Sequence, residues 1–398
     1  MYSTKGLFQW IGALLPIGRH NSRRMSSLMG RSWIEVDLKN LAHNANILRK
    51  SLPPGCQLMA VVKANAYGHG DAMICSCLQK NGVNAFAVAT IDEGIRLRNH
   101  GIRGEILILG YTAAERASEL HKYRLCQTLI SYEYARTLNA QKIPLMVHLK
   151  VDTGMHRLGI PDHDISDIQS VFSFRYLHLC GIYTHLCCSD SLQPDDIAFT
   201  QQQIHRFYHL IHSLQKHGQT IPKLHLQSSY GLLNLPALPC DYVRAGIALY
   251  GILSSPQDKP LHPLDLRPVL SLKSRVVLIR SIACGDSVGY ARTFTATRGS
   301  KIGILPIGYA DGVPRGLSCG RGWVRIRHYL VPIIGRICMD QLAVDITDAE
   351  EVALGDIATL IEPQSDSPLA APAVAARCGS ISNELLCRIS TRLPVVPV

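Results

Sequence analysis

The sequence predicts an N-terminal (β/α)8 barrel of the TIM type followed by a C-terminal, mostly β domain. Strand-like apolar runs alternate with helical stretches about eight times over roughly 220 residues, which is the pattern of a parallel barrel. Four prolines from Pro256 to Pro268 crowd a connector, and the segments beyond it are β-rich and separated by Gly and Asp turns. We therefore expect a poorly ordered basic extension at 1–31, the barrel at 32–260 and the β domain at 261–398.

The elements of the barrel follow one another in a regular order. Trp33–Leu38 alternates like a strand, and Leu41–Leu48 has the pattern of a helix. The next strand-like runs are Met59–Val62, Ala85–Ala89, Ile106–Leu109, Cys126–Ile130, Leu145–Val151, Leu177–Thr184 and Leu224–Gln227. Helical stretches between several of them are Asp71–Lys80, Asp92–His100, Ala113–His121 and Asp195–His217. A doubly wound sheet is the alternative, but no G-x-G-x-x-G motif follows the first strand.

The segments after the connector have the composition of strands and carry no internal repeat. They are rich in β-branched residues, and short turns separate them. These β-rich segments are Val269–Ile282, Gly303–Ile307, Trp323–Ile326, Val331–Ile334, Leu342–Ile346 and Ile357–Ile361. The second domain is therefore expected to be built from sheets.

Composition and charge limit the classes of function. Of the 398 residues, 47% are hydrophobic and 18% charged, which indicates a folded soluble protein. The net charge of +11 suits phosphorylated cofactors and anionic substrates. It also suits nucleic acid, but no dense basic run with interleaved aromatic residues occurs, so we expect no nucleic-acid partner. The 13 cysteines lack paired C-x-x-C spacing, so we expect no metal site and a reducing, cytoplasmic location.

The first 31 residues differ from the rest of the chain. They are basic, and no acidic residue occurs before Glu35. The apolar run Leu7–Ile17 is interrupted by polar and helix-breaking residues and is too short to cross a bilayer, so we expect no membrane span. A signal peptide, a transit-like segment and a surface-associating segment are the alternatives to a poorly ordered extension.

The most informative stretch is Ala60–Gly70, with the sequence AVVKANAYGHG. It begins as a buried strand, ends that strand in Lys63, and continues with small residues that let the backbone approach a bound group. A partly desolvated lysine has a lowered pKa, and its neutral amine can form a Schiff base with an aldehyde cofactor. Taken alone, Lys63 is more simply a strand-end lysine that reaches water.

Three further stretches place polar side chains directly after predicted strands. Leu149–Gly159 carries a lysine and an arginine, and the arginine offers a fixed fork of donors to an oxyanion. Tyr183-Thr184-His185 ends the next strand. Gln227–Gly231 offers hydroxyls and backbone N–H groups that suit phosphate. Taken singly, each of these is more often a salt-bridged loop or a packed side chain.

Together with Tyr242–Gly251, these stretches resemble the alanine racemases, a family of enzymes that depend on pyridoxal 5′-phosphate (PLP). The resemblance runs from about Trp33 to Pro394. It implies that Lys63 binds PLP, that Arg157 contacts the phenolic oxygen, and that Lys150, often carbamylated in the family, positions Arg157. The residues that it implies for cofactor binding are Lys63, Tyr67, Arg157, His185, Ser228, Arg244, Gly246 and Ile247.

In the resemblance, Arg244 donates to the pyridine nitrogen of the cofactor. A permanently charged donor keeps that nitrogen unprotonated, because arginine has no lone pair with which to accept a proton. The cofactor then withdraws fewer electrons, and side reactions such as transamination are suppressed.

The second domain contributes to the site in the same resemblance. Val288–Phe294 implies that Tyr290 is a second catalytic base, which reaches the active site of the other subunit of a homodimer. Met339, through its backbone N–H, and Arg157 are implied to bind the substrate amino acid, and Tyr309 and Asp340 to line the entrance. Two bases are needed because the two protons of the L- and D-isomers lie on opposite faces of a planar carbanion. The implied activity interconverts L- and D-alanine and supplies D-alanine for peptidoglycan.

One position departs from the family pattern and leaves the substrate open. Thr391 stands where alanine racemases usually have a tyrosine that contacts the phosphate and narrows the pocket. Because related serine racemases also differ at this position, serine or serine/alanine racemisation is the alternative activity. A fold-related PLP decarboxylase of basic amino acids is a further alternative, but such an enzyme lacks the segment around Tyr290. A non-catalytic PLP carrier is another alternative, but such a protein is shorter and has no β domain.

Overall fold

The computed structural model describes residues 30–398. The strands in the first part of these residues are β1 (Ser32–Val36), β2 (Gln57–Val61), β3 (Ala85–Val88), β4 (Glu105–Ile108), β5 (Cys126–Leu129), β6 (Leu145–Asp152), β7 (Ile160–Pro161), β8 (Leu177–Tyr183), β9 (Lys223–Ser228) and β10 (Tyr242–Ala245). The strands β2–β6 and β8–β10 are parallel and form a closed barrel, in which β10 pairs with β2 and β5 with β6. The predicted (β/α)8 barrel is confirmed.

Helices connect the barrel strands and follow the second sheet. They are α1 (Leu38–Lys50), α2 (Lys63–Tyr67), α3 (Asp71–Lys80), α4 (Ile91–Asn99), α5 (Ala117–Lys122), α6 (Tyr132–Ala140), α7 (Ile165–Val171), α8 (Pro194–Lys216), α9 (Ser229–Asn234), α10 (Ala371–Ala376) and α11 (Ser382–Cys387). Local sequence explains where several begin. Asp37 caps α1 by accepting from the N–H groups of Lys39 and Asn40. Thr90 and Glu93 form a reciprocal capping box at α4.

The second domain is a mixed nine-stranded sheet with a small hairpin. Its strands are β11 (Leu270–Arg275), β12 (Leu278–Ile282), β13 (Ser287–Val288), β14 (Phe294–Thr295), β15 (Ser300–Leu305), β16 (Trp323–Ile326), β17 (Tyr329–Ile334), β18 (Leu342–Asp345), β19 (Ile357–Ile361) and β20 (Val395–Pro397). The order in the large sheet is β12-β15-β18-β17-β16-β19-β11-β1-β20, and β13 pairs with β14. The predicted mostly β second domain is confirmed.

The first described strand lies in the second sheet and not in the barrel. The strand expected at Trp33–Leu38 is present as β1, but it runs antiparallel to β11 and parallel to β20. Just before it, Arg31 is bound to the second domain, because its Nη2 lies 2.6 Å from Oδ1 of the buried Asp311. Residues 1–29 of the predicted extension lie outside the described residues. The boundaries 1–31, 32–260 and 261–398 stay predictions.

The turn that begins at Lys63 is left-handed. Ala64, Asn65, Ala66 and Tyr67 have φ between +52° and +55°, and Gly68 follows at +79°. This conformation costs roughly 1–2 kcal/mol for each residue with a Cβ, so it persists only where other contacts impose it. Such contacts are present: the Ala64 N–H donates to Glu93 Oε1 at 2.7 Å and the Asp71 N–H to Asn65 Oδ1 at 3.0 Å.

Three further features of the described residues bear on function. None of their helices is long and apolar enough to cross a membrane. All 13 cysteines are free thiols. Within residues 30–398, no group of three or more His, Cys, Asp or Glu side chains is arranged to hold a metal ion.

We predict that Gly68→Ala destabilises the protein much more than Gly101→Ala. Both glycines have φ near +79°, so both substitutions place a Cβ in the left-handed region, at a cost of about 1–2 kcal/mol. A Cβ at Gly101 meets open space, but at Gly68 it would lie 2.3 Å from the carbonyl oxygen of Leu386 in α11, which adds roughly 1–3 kcal/mol. Chemical denaturation measures both costs. Equal losses would show that Gly68 does not pack against α11.

Candidate active site

A cavity of ≈ 480 Å³ lies at the carboxyl ends of the barrel strands. This is the end of a (β/α)8 barrel at which active sites are found. The cavity is lined by the side chains and backbone that the sequence assigned to the cofactor and its supports: Lys63, Tyr67, Lys150, Arg157, His185, Ser228, Arg244, Gly246 and Ile247. Residues that are up to 184 positions apart in the chain therefore meet in one place, although their individual roles stay predictions.

Lys63 lies two residues beyond the end of the buried strand β2, as the first residue of α2, and is half-buried. Burial lowers the pKa of its amine, and the positive charge of Arg157 lowers it further, while the carboxylate of Glu93 acts in the opposite direction. The result is an amine with reduced affinity for a proton that faces the cavity. This is the property that nucleophilic attack on a carbonyl carbon requires.

Lys150 lies near Lys63 in the cavity wall and is more deeply buried. Burial and the positive charges of Arg157 and Arg244 lower its pKa to about 8, although Asp152 opposes this shift. Arg157 itself is exposed and makes no ion pair or hydrogen bond within residues 30–398. Its guanidinium is therefore available to an anionic group that enters the cavity.

Arg244, on β10, is 4% exposed and is held by acceptors on three sides. Its Nη1 donates to His225 Nδ1 at 2.7 Å, and its Nη2 donates to the Thr184 carbonyl oxygen at 2.8 Å and to His185 Nδ1 at 3.0 Å. Its Nε has no acceptor in the part of the chain that the structure describes. Burial, followed by the charge of Arg244, lowers the pKa of His185 well below its usual range, so His185 is neutral with its proton on Nε2.

A cradle for an anion lies at the opposite wall. The backbone N–H groups of Gly246 and Ala248 donate to Ser229 Oγ at 3.0 and 3.3 Å. Gly246 has no room for a side chain, because a Cβ there would lie 2.6 Å from Tyr67 Oη. Because Ser229 Oγ accepts from these N–H groups, its own O–H remains to donate to an anion, and Ser228 lines the cavity beside it.

Ser229 is the functional candidate that sequence reasoning missed. We assigned phosphate binding to Ser228, which also lines the cavity, but it is the hydroxyl of Ser229 that bonds to the Gly246 N–H. The two serines are adjacent and chemically identical, so only the position of the chain at the end of β9 distinguishes them. The sequence signal that could have identified Ser229 was the occurrence of two adjacent serines, Ser228 and Ser229, after a predicted strand.

The residues assigned to the second domain do not enter this cavity from the same chain. Tyr290 and Met339 are 70% and 54% exposed, and Thr391 is exposed as well. Tyr309 lines a separate depression together with Arg315 and other residues. Asp340 instead accepts a hydrogen bond from Arg392 Nη2 at 2.8 Å. One chain alone therefore brings together Lys63, Arg157 and Arg244 but not Tyr290.

Comparison with known proteins gives the family. The model of the alanine racemase N-terminal domain matches residues 36–254, and that of the C-terminal domain matches residues 269–397. The chain belongs to the alanine racemase family. The resemblance found in its motifs is thereby confirmed over both domains.

Relatives within the alanine racemase family carry different names. The chain is 49% identical to an amino-acid racemase of Enterococcus faecalis over 97% of its own length and 54% of that protein. It is 39% identical to a serine/alanine racemase of Enterococcus gallinarum over 91% of its length and 51% of that protein. It therefore spans about half the length of these two relatives. It is 38% identical to an alanine racemase of Geobacter sp. (strain M21), over 90% of its length and 96% of that protein.

Solved alanine racemases have the same fold. The enzyme of Clostridium difficile 630 superposes with a TM-score of 0.86 at 32% identity, covering 93% of this chain and 96% of that one. The enzyme of Bacillus anthracis with bound L-Ala-P has a TM-score of 0.86 at 30% identity, covering 92% of this chain and 95% of that one.

We predict that Lys150 loses its proton near pH 8 and that Arg157→Gln raises this pKa. The substitution removes one of the two neighbouring cations that disfavour the ammonium form. Arg206→Gln is the matched control, because Arg206 contacts the same loop through the Thr153 carbonyl oxygen but is not among the charges acting on Lys150. Trace acetylation across pH, resolved by peptide mass spectrometry, gives the midpoint. A wild-type midpoint above about pH 10 contradicts this account of the site.

Proposed function

We propose that this chain is a PLP-dependent amino-acid racemase that interconverts L- and D-alanine. The observation that carries the proposal is one cavity that combines a lysine amine of lowered pKa, an anion cradle and a buried arginine donor. The lysine amine can react with an aldehyde, the cradle can bind a phosphate, and the arginine can donate to a ring nitrogen. We propose D-alanine supply for peptidoglycan as the use of the product.

The residues present fit PLP. The Nε–H of Arg244, which has no acceptor within residues 30–398, suits the pyridine nitrogen, and the Lys63 amine suits the aldehyde. The hydroxyls of Tyr67, Ser228 and Ser229 and the backbone of Gly246 and Ile247, which line the same cavity, suit the phosphate. PLP, when bound, withdraws electrons from the α carbon of an attached amino acid and makes its α proton acidic.

The residues of the chain then divide the proton transfers between two faces. Lys63 Nζ removes or returns the α proton of the D-isomer, and Tyr290 Oη does so for the L-isomer on the opposite face. Arg157 and the Met339 N–H bind the substrate carboxylate. Lys150, as a carbamate or a neutral amine, orients Arg157. Arg244 can only donate a hydrogen bond, so a ring nitrogen that it contacts stays unprotonated.

We propose further that the active unit is a homodimer with shared sites. Tyr290 and Met339 are large, exposed side chains on the second domain, outside the cavity of their own chain. In a symmetric dimer, each second domain can deliver these residues to the partner's barrel.

Serine is the second candidate substrate. The exposed Thr391 leaves room where a tyrosine would stand, and one relative is named a serine/alanine racemase. Threonine also offers a hydroxyl as a hydrogen-bond partner. We rank alanine first, because most of the relatives described above are named alanine or amino-acid racemases.

We predict that PLP bound to the purified protein is fixed by borohydride to Lys63. Lys63 combines a lowered pKa with a position at the cavity wall, so it is the amine that reacts with the aldehyde. Peptide mapping after reduction locates the pyridoxyl group. A label on Lys150, the other low-pKa amine of the cavity, would overturn the assignment, and Lys150→Arg serves as the matched control that keeps the label on Lys63.

Mixing two inactive variants tests the shared site. Lys63→Ala and Tyr290→Phe subunits are each expected to be inactive alone, and together they form heterodimers in which one site carries both lesions and the other neither. Activity should therefore return on mixing, up to about one quarter of the wild-type value per subunit after random reassortment. Heterodimers shown to form by mass spectrometry but without activity would contradict a site shared between subunits.

We predict that Thr391→Tyr lowers the serine-to-alanine ratio of kcat/KM. The aromatic ring fills the space that a serine hydroxyl needs and removes the threonine hydroxyl as its partner. A pocket that merely tolerates a hydroxyl discriminates by about 100-fold, whereas one that hydrogen-bonds it discriminates more. Thr391→Val, which keeps the size and loses the hydroxyl, separates the two effects. An unchanged ratio in a PLP-loaded Thr391→Tyr variant contradicts a role in specificity.

A further inference from the structure

A line of polar side chains crosses the interior of the barrel. Barrel interiors of this kind are usually filled with branched apolar residues. Here His148 on β6 and His225 on β9 are fully buried, and the buried Arg244 lies directly above them. Buried polar groups of this kind destabilise the folded state unless they are hydrogen-bonded, so their hydrogen-bond partners bear on whether they have a function.

The hydrogen bonds along this line have one direction only. Arginine cannot accept, so His225 Nδ1 must accept from Arg244 Nη1, at 2.7 Å. His225 then carries its proton on Nε2 and donates to His148 Nδ1 at 2.9 Å. His148 in turn carries its proton on Nε2. Both imidazoles are therefore neutral and in the same tautomer, which is fixed by the cation at one end.

The other end of the line is a carboxylate. His148 Nε2 lies 3.2 Å from Glu105 Oε1, but this close contact lacks the alignment of a hydrogen bond, and neither atom has a hydrogen-bond partner within residues 30–398. The second oxygen of Glu105 accepts from Tyr242 Oη at 3.0 Å and lies 3.3 Å from Lys223 Nζ. Burial acts to raise the pKa of Glu105, whereas its contacts with His148, Lys223 and Tyr242 lower it.

The carboxylate lies at the far end of the barrel from the cavity. Glu105, Lys223 and Tyr242 are the first residues of β4, β9 and β10. The line therefore runs from the amino ends of the strands to Arg244 near their carboxyl ends. A positive charge on Arg244 and a negative charge on Glu105 polarise both imidazoles in the same sense, which strengthens the hydrogen bonds from Arg244 to His225 and from His225 to His148.

We propose that Glu105 and His148 are positioning residues for Arg244, acting through His225. By fixing one Nη1–H they hold in place a guanidinium whose Nε–H and second Nη1–H have no protein acceptor within residues 30–398 and can donate to a ring nitrogen in the cavity. This deepens the function proposed above, since the ring nitrogen is that of PLP. Neither residue touches the cofactor or substrate.

Histidine NMR on the wild-type protein without cofactor tests the line directly. Long-range ¹H–¹⁵N spectra should show His148 and His225 both protonated on Nε2 and unprotonated on Nδ1. A proton on Nδ1 of either ring would overturn the proposal. This arm needs neither a variant nor PLP, so it stands even if the proposed function fails.

Breaking the line at Glu105 should disturb Arg244. In Glu105→Leu we expect the His225 ring signals and the Arg244 Nε–H signal to move, although residue 105 contacts neither. We expect the dissociation constant of PLP to rise about 10- to 100-fold, the usual effect of losing a hydrogen bond to a charged group. Glu105→Gln restores an acceptor for His148 and should recover most of this loss.

Tyr242→Phe is the matched control. It removes a hydroxyl from Glu105 and Lys223 but leaves the contact between Glu105 and His148, so PLP binding should be unchanged. Unaltered Arg244 and PLP signals in Glu105→Leu, or equal losses in Tyr242→Phe, would refute the positioning role. Wild-type protein that shows the expected tautomers but binds no PLP would instead refute the proposed function. If Glu105→Leu does not fold, the wild-type tautomers together with the Arg244 Nε–H signal in Glu105→Gln decide the question.

Discussion

The low proton affinity of the Lys63 amine is the property on which the rest of the site depends. It follows from two causes that the fold supplies together. The buried strand β2 carries the lysine away from water, and Arg157 arrives from the end of β6 with a second positive charge. A lysine fully exposed to water would hold its proton more tightly and would attack an aldehyde more slowly, because a smaller fraction of its amine is neutral. The barrel therefore makes an ordinary amine reactive by position alone.

Keeping Lys63 in place requires strain elsewhere. Four residues after Lys63 adopt left-handed conformations, which alanine and tyrosine avoid on their own. Glu93 from the capping box of α4 and the backbone of α11 hold this turn, so the barrel and the second domain both contribute to it. Strain of this kind is concentrated at functional sites, because the surrounding structure must impose it.

The cations around the cavity divide into two kinds. Arg157 is exposed and has no protein partner in the part of the chain that the structure describes, so it is available to ligands. Arg244 is buried and heavily bonded, and its orientation is determined by the residues beneath it. An enzyme that handles anionic substrates needs both kinds, one to capture charge and one to direct a single hydrogen bond.

Much of this arrangement could be predicted from the sequence. The apolar runs predicted the barrel strands, and the resemblance of the motifs to the alanine racemases assigned Lys63, Lys150, His185 and Arg244 to one site. The sheet to which β1 belongs was not predictable, since Ser32 pairs with Ser274 and no local signal spans that distance. The left-handed turn after Lys63 could not be predicted from the sequence, because it depends on tertiary contacts.

Two other features were beyond the sequence for different reasons. Which of Ser228 and Ser229 contacts the Gly246 N–H depends on where the chain turns at the end of β9, not on residue type. The interior line from Glu105 to Arg244 joins four strands, and each of its histidines by itself has the appearance of an ordinary core residue. Its order emerges only when the donors and acceptors are followed from the arginine outward.

In the proposed reaction, two groups exchange the α proton on opposite faces of the same bound amino acid. Incubation of the PLP-loaded protein with L-alanine in deuterium oxide, followed by chiral separation and mass analysis, tests this proton exchange. We expect D-alanine to appear with deuterium at the α carbon and the recovered L-alanine to acquire deuterium as well. Deuterium exchange confined to L-alanine without any D-isomer, or release of carbon dioxide in place of inversion, would contradict it.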